Sequence, residues 1–299
     1  MTGMGISKQI VFWMTALLTV AGLLTPSFAR VDSLSIVTSF YPMYVLTANV
    51  VAGIEGVEAH IMAAPETGCL HDYQLLPGDL RKLESADILV INGAGMEAFL
   101  DKARAMYPDL PVIEAGEGIA LLEEGHGSGN NPHVWVDPCN AAAQTRTIAR
   151  RLCELDPDHA AAYAANGEIY AARLEALYVR MREDLAVVHN RDLFTFHEAF
   201  TYFADAFDLR VTGVVEREPG AEPGTRELAE IVDLVRAEGV TALFSEPQYS
   251  DRTIELIARE TGARVYTLDP VVNGPLTLTA YEDAMERNLQ VLLEALNDE

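Results

Sequence analysis

Three of the seven histidines share one kind of position. His71 lies beyond the strand-like run 57–63, in Gly68-Cys69-Leu70-His71-Asp72-Tyr73. His133 sits in Asn131-Pro132-His133-Val134-Trp135-Val136-Asp137-Pro138, and His197 ends the strand-like run 193–196 and begins a helix. Asp269 occupies a matching place, after the run 265–268 and before Pro270. In open α/β sheets, ligands bind beyond the carboxyl ends of the strands. Three imidazoles and one carboxylate form a four-coordinate nitrogen and oxygen set that suits Zn2+ in tetrahedral geometry. The gaps of 62, 64 and 72 residues match no local metal-binding pattern, so tertiary structure has to assemble the set. Each residue also has a plainer reading: a loop histidine is commonly a surface or capping residue, and Asp269 before proline fits a helix cap.

The elements that must position these residues read as two α/β halves. Strands are expected at 34–39, 57–63, 87–92 and 111–114, with helices at 44–51, 78–84 and 96–103 between them. That alternation implies a mostly parallel sheet covered on both faces. Asp137-Pro138 and Asp156-Pro157 then open helices, with Asp as N-cap and Pro in the first turn. The second runs to residue 188 with Leu174, Leu177, Met181, Leu185 and Val188 on one stripe. About 31 helical residues would measure roughly 46 Å, the length of a spine between lobes. The alternation resumes with strands at 193–196, 211–215, 242–245 and 265–268, and helices at 199–207, 225–238, 253–261 and 281–296. The expected architecture is α/β with two lobes, 30–155 and 189–299, each a roughly four-stranded, mostly parallel sheet covered by helices. One long linking helix, 156–188, joins them. His71 and His133 precede that helix, and His197 and Asp269 follow it, so a site between the lobes would draw ligands from both. The loop 121–131 and the connection 216–224, with two Pro-Gly pairs, read as the turn-rich stretches.

The remaining composition narrows location and partners. Lys8 and an apolar run to Leu24 precede Pro26-Ser27-Phe28-Ala29, the form of a signal peptide (1–29) cut after Ala29. The run is too short to span a bilayer, and no cysteine stands at the cleavage point for a lipid anchor. A soluble, exported, periplasmic protein with no direct membrane anchor is expected, acting as a monomer. The formal charge of −24 repels phosphate, which excludes nucleic acid as a partner, and it favours cations. Three cysteines are too few for a disulfide framework. Cys139 and Cys153 lie roughly 20 Å apart on one helix and should not bond. Cys69, two residues from His71, could touch a metal or pair with Cys139, and reads foremost as an ordinary buried thiol.

Over essentially the whole mature chain, the sequence resembles the zinc- and manganese-binding substrate receptors of bacterial metal-uptake ABC transporters. The resemblance rests on Ser39-Phe40-Tyr41-Pro42-Met43-Tyr44, His71-Asp72-Tyr73 with Pro77 and Asp79-Leu80, Pro132-His133-Val134-Trp135-Val136-Asp137-Pro138, His197-Glu198-Ala199-Phe200, Phe244-Ser245-Glu246-Pro247-Gln248-Tyr249 and Leu268-Asp269-Pro270. It implies two lobes with a rigid linking helix and Zn2+ bound between them as transported ligand, delivered to a membrane permease of a zinc ABC transporter. It also implies His71, His133 and His197 as ligands, with Asp269 where the family often has its fourth. Manganese-selective members commonly carry Glu at the position of His197, so imidazole there points to zinc. The His-rich loop frequent in zinc-type members is reduced here to His126 and Glu123-Glu124 within 121–131.

Other readings are weaker on the residues. A manganese receptor of the same family is the nearest alternative. A secreted zinc hydrolase needs an open coordination position and a general base, but His197-Glu198 does not extend to H-E-x-x-H because residue 201 is Thr. No G-x-S-x-G elbow or Walker A loop is present. An adhesin-like surface protein of the same fold would want an anchoring cysteine. Glu246 is an alternative ligand or supporting acceptor but reads as structural, so Glu246→Ala is expected to cost little. His60 reads as strand core or edge, His159 and His189 as solvated, and Trp135, Phe194, Phe196, Phe200, Tyr202 and Phe203 as core.

Overall fold

Among the described residues, eight parallel strands form two four-stranded sheets with the same internal order. The structure, a computed structural model, describes residues 33–70, 73–125, 129–216 and 223–297. The signal segment 1–29, His71, His126 and the first Pro-Gly pair of 216–224 lie outside the described residues.

In the first sheet β1 (Leu34–Thr38) lies between β2 (Val57–Ile61) and β3 (Ile88–Ile91), and β4 (Val112–Glu114) completes the order β2-β1-β3-β4. β3 is apolar and buried at all four positions, as a parallel strand covered on both faces must be. In the second sheet β5 (Asp192–Thr195) lies between β6 (Arg210–Val214) and β7 (Ala242–Ser245), and β8 (Arg264–Thr267) gives the order β6-β5-β7-β8. Each sheet therefore has a topological switch point, where the chain leaves its first strand to one side and returns on the other. A crevice opens there at the carboxyl ends. In the second sheet it falls between β5 and β7.

The helices follow the expected punctuation. α1 (Tyr41–Val50) carries Pro42 in its first turn and is buried nearly all round. α2 (Pro77–Glu84) opens on Pro77, with Asp79 reaching back to the Leu76 amide. The helix expected at 96–103 begins later, as a 3-10 turn Ala98–Leu100 leading into α3 (Asp101–Met106). Gly93, Ala94 and Gly95 all have positive φ, and Glu97 turns back to accept from Ser39 Oγ and from the amides of Asn92 and Gly93. That carboxylate is committed to the β3 exit, which postpones the helix.

α4 (Pro138–Leu155) is capped by Asp137, which accepts from the Cys139 amide. α5 (Ala160–Leu185) has 26 residues, or roughly 39 Å, less than the sequence suggested. Asp156 accepts from Tyr163 Oη at 2.6 Å and from His159 Nδ1 at 2.7 Å, and this shapes a 3-10 entry, Pro157–His159, before the α-helix proper. The expected stripe of Leu174, Leu177, Met181, Leu185 and Val188 is buried. α6 (Thr201–Ala206), α7 (Thr225–Ala237), α8 (Arg252–Thr261) and α9 (Ala280–Ala295) cover the second sheet and the spine.

The segment entering α9 reaches back across the first half. Trp135 Nε1 donates to Pro270 O, Tyr281 Oη to Trp135 O, Tyr41 Oη to Pro275 O, and Asn49 Nδ2 to Leu278 O, all at 2.7–3.0 Å. α9 packs on both α1 and α5, so the largest buried cluster runs continuously through both halves. Residues 33–297 accordingly behave as a single packed unit.

α4 and α5 approach closely at Gly167, where a Cβ would lie 2.5 Å from Ala149 Cβ. Gly167→Ala should destabilise the protein, because overpacking two helix backbones costs about 1–3 kcal/mol against a helix-propensity gain of ~1 kcal/mol. Urea unfolding of the metal-free protein measures it. Ala149→Gly in the same chain should relieve the clash with a coupling energy of at least ~0.5 kcal/mol; purely additive changes would show that the helices are free to separate.

Candidate metal centre

The carboxyl end of β5 runs directly into His197, and that of β7 into Glu246, on either side of the second sheet's switch point. Glu246 Oε1 accepts from His197 Nδ1 at 2.5 Å and from the His197 amide at 3.1 Å, while Gln248 Nε2 donates to Oε2 at 2.8 Å. His197 and Glu246 are both buried. With Nδ1 donating to the carboxylate, Nε2 of His197 points the other way.

His133 is set by a parallel device. Asn131 Oδ1 accepts from the His133 amide at 3.0 Å and from Nδ1 at 2.9 Å. The Asn131 amide group donates to Glu198 O at 2.7 Å and to Thr201 Oγ1 at 3.1 Å. A carbonyl can only accept, so Oδ1 must be the atom facing His133, and the imidazole proton is on Nδ1. Tyr202 Oη further donates to Asn131 O at 2.8 Å. One asparagine thus fixes both the tautomer of His133 and its place relative to the second half.

The two Nε2 atoms meet at 3.3 Å. Cys69 Sγ lies 3.7 Å from Nε2 of His133 and 3.5 Å from Nε2 of His197. Among the described residues these three side chains form the one gathering of three metal-ligating atoms. The loop that brings Cys69 passes so close to the second half that a Cβ on Gly68, at φ +78°, would stand 3.1 Å from Gln248 Cγ. Trp135 lies 5.3 Å from the His133 ring, and Tyr249, stacked on Phe196, lies 5.5 Å from the His197 ring. Burial alone would depress the His197 imidazole, but the Glu246 carboxylate and Cys69 hold it well above its ordinary value. Burial pushes the Cys69 thiol up, against the pull of His197.

His133 and His197 are thus brought together from opposite sides of the spine; His71 lies outside the described residues. Asp269 stands apart from the cluster. Its Oδ1 accepts from the Val271 amide at 2.8 Å, Oδ2 is 3.4 Å from Arg287 Nη2, and Asn288 clamps its backbone through both N and O. Burial raises its carboxyl, while Val271 and Arg287 pull it down.

Cys69 and Glu246 take larger parts than the sequence suggested. No disulfide forms, since all three cysteines are free thiols. Asn131, inside a motif already singled out, went unnoticed because an amide's partners are invisible in sequence. The signal for Glu246 was its place at the end of the strand beside β5. His60 is exposed on edge strand β2 and paired with Glu58, His159 is paired with Asp156, and His189 is exposed. The six aromatics are buried as expected.

Residues 36–295 match the family described as ZnuA, zinc-uptake complex component A periplasmic. The chain is 30% identical over 234 residues to the iron-binding protein YfeA of Yersinia pestis, covering 77% of this chain and 74% of that one. It is 27% identical over 281 residues to the high-affinity zinc uptake system protein ZnuA of Brucella abortus (strain 2308), covering 79% and 83%. The solved structure of the solute-binding protein FpvC of Pseudomonas aeruginosa in complex with Mn2+ superposes with a TM-score of 0.80 at 32% identity, covering 88% of this chain and 98% of that one.

The geometry revises one expectation. Glu246→Ala removes the acceptor that orients His197, so affinity for a divalent metal should fall roughly 10- to 100-fold, the range for losing such a partner. Isothermal titration of the variant with Zn2+ measures this, and unchanged affinity would show that His197 needs no carboxylate to hold it.

Proposed function

The chain belongs to the ZnuA family of periplasmic metal-binding receptors, and from that footing we propose that it captures Zn2+ and delivers it to the permease of a zinc ABC transporter. Receptors of this family bind metal for ABC uptake systems and are not enzymes. The supporting observation is the convergence of two buried imidazoles whose outer nitrogens are already committed, to Asn131 and to Glu246. Lone pairs fixed inward in this way are what a cation requires of its ligands.

In this reading His71, His133 and His197 supply the imidazoles. One further donor offsets part of the cation's charge, and Asp269 is the carboxylate that the resemblance implies. Zinc is favoured over manganese because imidazole donors suit it, whereas the harder Mn2+ prefers carboxylate and water. The acidic chain, at −24, attracts cations from solution. Export through a signal peptide cleaved after Ala29, and action as a soluble monomer, complete the proposal. Among the described residues no helix is long and apolar enough to cross a membrane.

Competition against a chromogenic chelator tests the assignment. One Zn2+ should bind per chain, more tightly than Mn2+, and His71→Ala, His133→Ala and His197→Ala should each weaken binding beyond the roughly 100-fold upper range for supporting partners. Tighter binding of Mn2+ than of Zn2+ would overturn the zinc reading.

A further inference from the structure

We infer that Cys69 is itself a metal ligand, so that the bound cation is held by sulfur as well as nitrogen. The inference rests on the proposed function and sharpens it.

The first support is geometric. Zinc bonds of ~2.0–2.1 Å to nitrogen and ~2.3 Å to sulfur, at tetrahedral angles, place two nitrogens roughly 3.3 Å apart and a sulfur roughly 3.6 Å from each. The nitrogens of His133 and His197 are 3.3 Å apart, and Cys69 Sγ is 3.7 and 3.5 Å from them. Three atoms from three separate loops already stand at three corners of one zinc tetrahedron.

The second support is charge. Three neutral imidazoles leave both positive charges of the cation uncompensated between Trp135 and Tyr249. An anionic donor is needed, and Asp269 is tied to Val271 and Arg287 outside the cluster. Glu246 spends one oxygen on His197 and the other on Gln248. Cys69 is the acid-forming side chain that the described residues gather with the two imidazoles. On binding, the S–H bond gives way to a metal–sulfur bond, and the proton leaves to solvent.

The third support is placement. The positive φ of Gly68 and its approach to Gln248 set the Cys69 loop against the second half, so the sulfur is carried to the two imidazoles by backbone rather than by a flexible arm. Thiolate is a soft donor and selects zinc over manganese. A sulfur ligand would therefore make this chain more discriminating against Mn2+ than an all nitrogen and oxygen set.

Titration of the metal-stripped, reduced protein with Co2+, a spectroscopic substitute for zinc, tests this. The wild-type protein should develop a sulfur-to-cobalt charge-transfer band in the near ultraviolet. Cys69→Ser should abolish that band and lower Zn2+ affinity by at least roughly tenfold, while Cys139→Ser and Cys153→Ser keep both. X-ray absorption at the zinc edge of the wild-type protein gives an answer that no variant's folding can cloud, with one sulfur expected in the shell. Tight binding of Co2+ and Zn2+ without the band or the sulfur shell overturns the thiolate ligand alone and leaves zinc capture standing. Failure of the wild-type protein to hold either metal overturns both.

Discussion

Two imidazole nitrogens 3.3 Å apart, each with its lone pair turned inward, repel one another unless something positive lies between them. The structure is organised to enforce that arrangement. Asn131 and Glu246 hold the outer nitrogens, and burial removes the water that would otherwise solvate the inner ones. Glu246 and Cys69 hold the His197 imidazole well above its ordinary value, against the effect of burial. In the proposed site, metal and proton compete for the same nitrogens, so acid would release the metal.

Holding this arrangement requires the two sheets to stay in register, and the fold spends several elements on that task. α4 and α5 meet at backbone distance where Gly167 faces Ala149. The segment before α9 is tied to the first half through Trp135, Tyr41, Asn49 and Tyr281. Val271, a buried β-branched residue at φ 58°, carries backbone strain in that same segment. Such bonds resist a wide hinge opening, because parting the halves would break them together and expose a continuous core.

The architecture was legible in sequence because its signals are local. Strand-like runs and Asp-Pro helix starts depend on neighbouring residues, and all eight expected strands occur within two residues of their expected bounds. His133 and His197 were legible because strand ends in α/β sheets are where ligands bind. Their supports were not. Asn131 acts on His133 only because Glu198 and Thr201, from the other half, orient its amide. Glu246 acts on His197 only because β7 lies next to β5. Cys69 reaches the imidazoles only because Gly68 permits close passage over Gln248. Each depends on which strands become neighbours, and nothing within a ten-residue window encodes that.

The placement of charge follows from the same topology. Glu246 is close enough to be a ligand, yet the β5–β7 pairing puts its Oε1 on the far side of His197, where it polarises the ring instead of meeting the cation. Asp269, at the end of the outer strand β8, is one strand further from the switch point, and its carboxylate serves the turn at Val271 and the Arg287 guanidinium. The strand order thus leaves the second half one imidazole to offer at the centre, backed by a carboxylate that raises its basicity. Among the described residues, the third donor gathered with the two imidazoles comes from the first half. There the loop after β2 offers a sulfur, which binds more strongly to a soft cation than to a hard one. If the thiolate is a ligand, selection of the metal would be in this sense a consequence of strand order: the second sheet would contribute the basicity, and the first the softness.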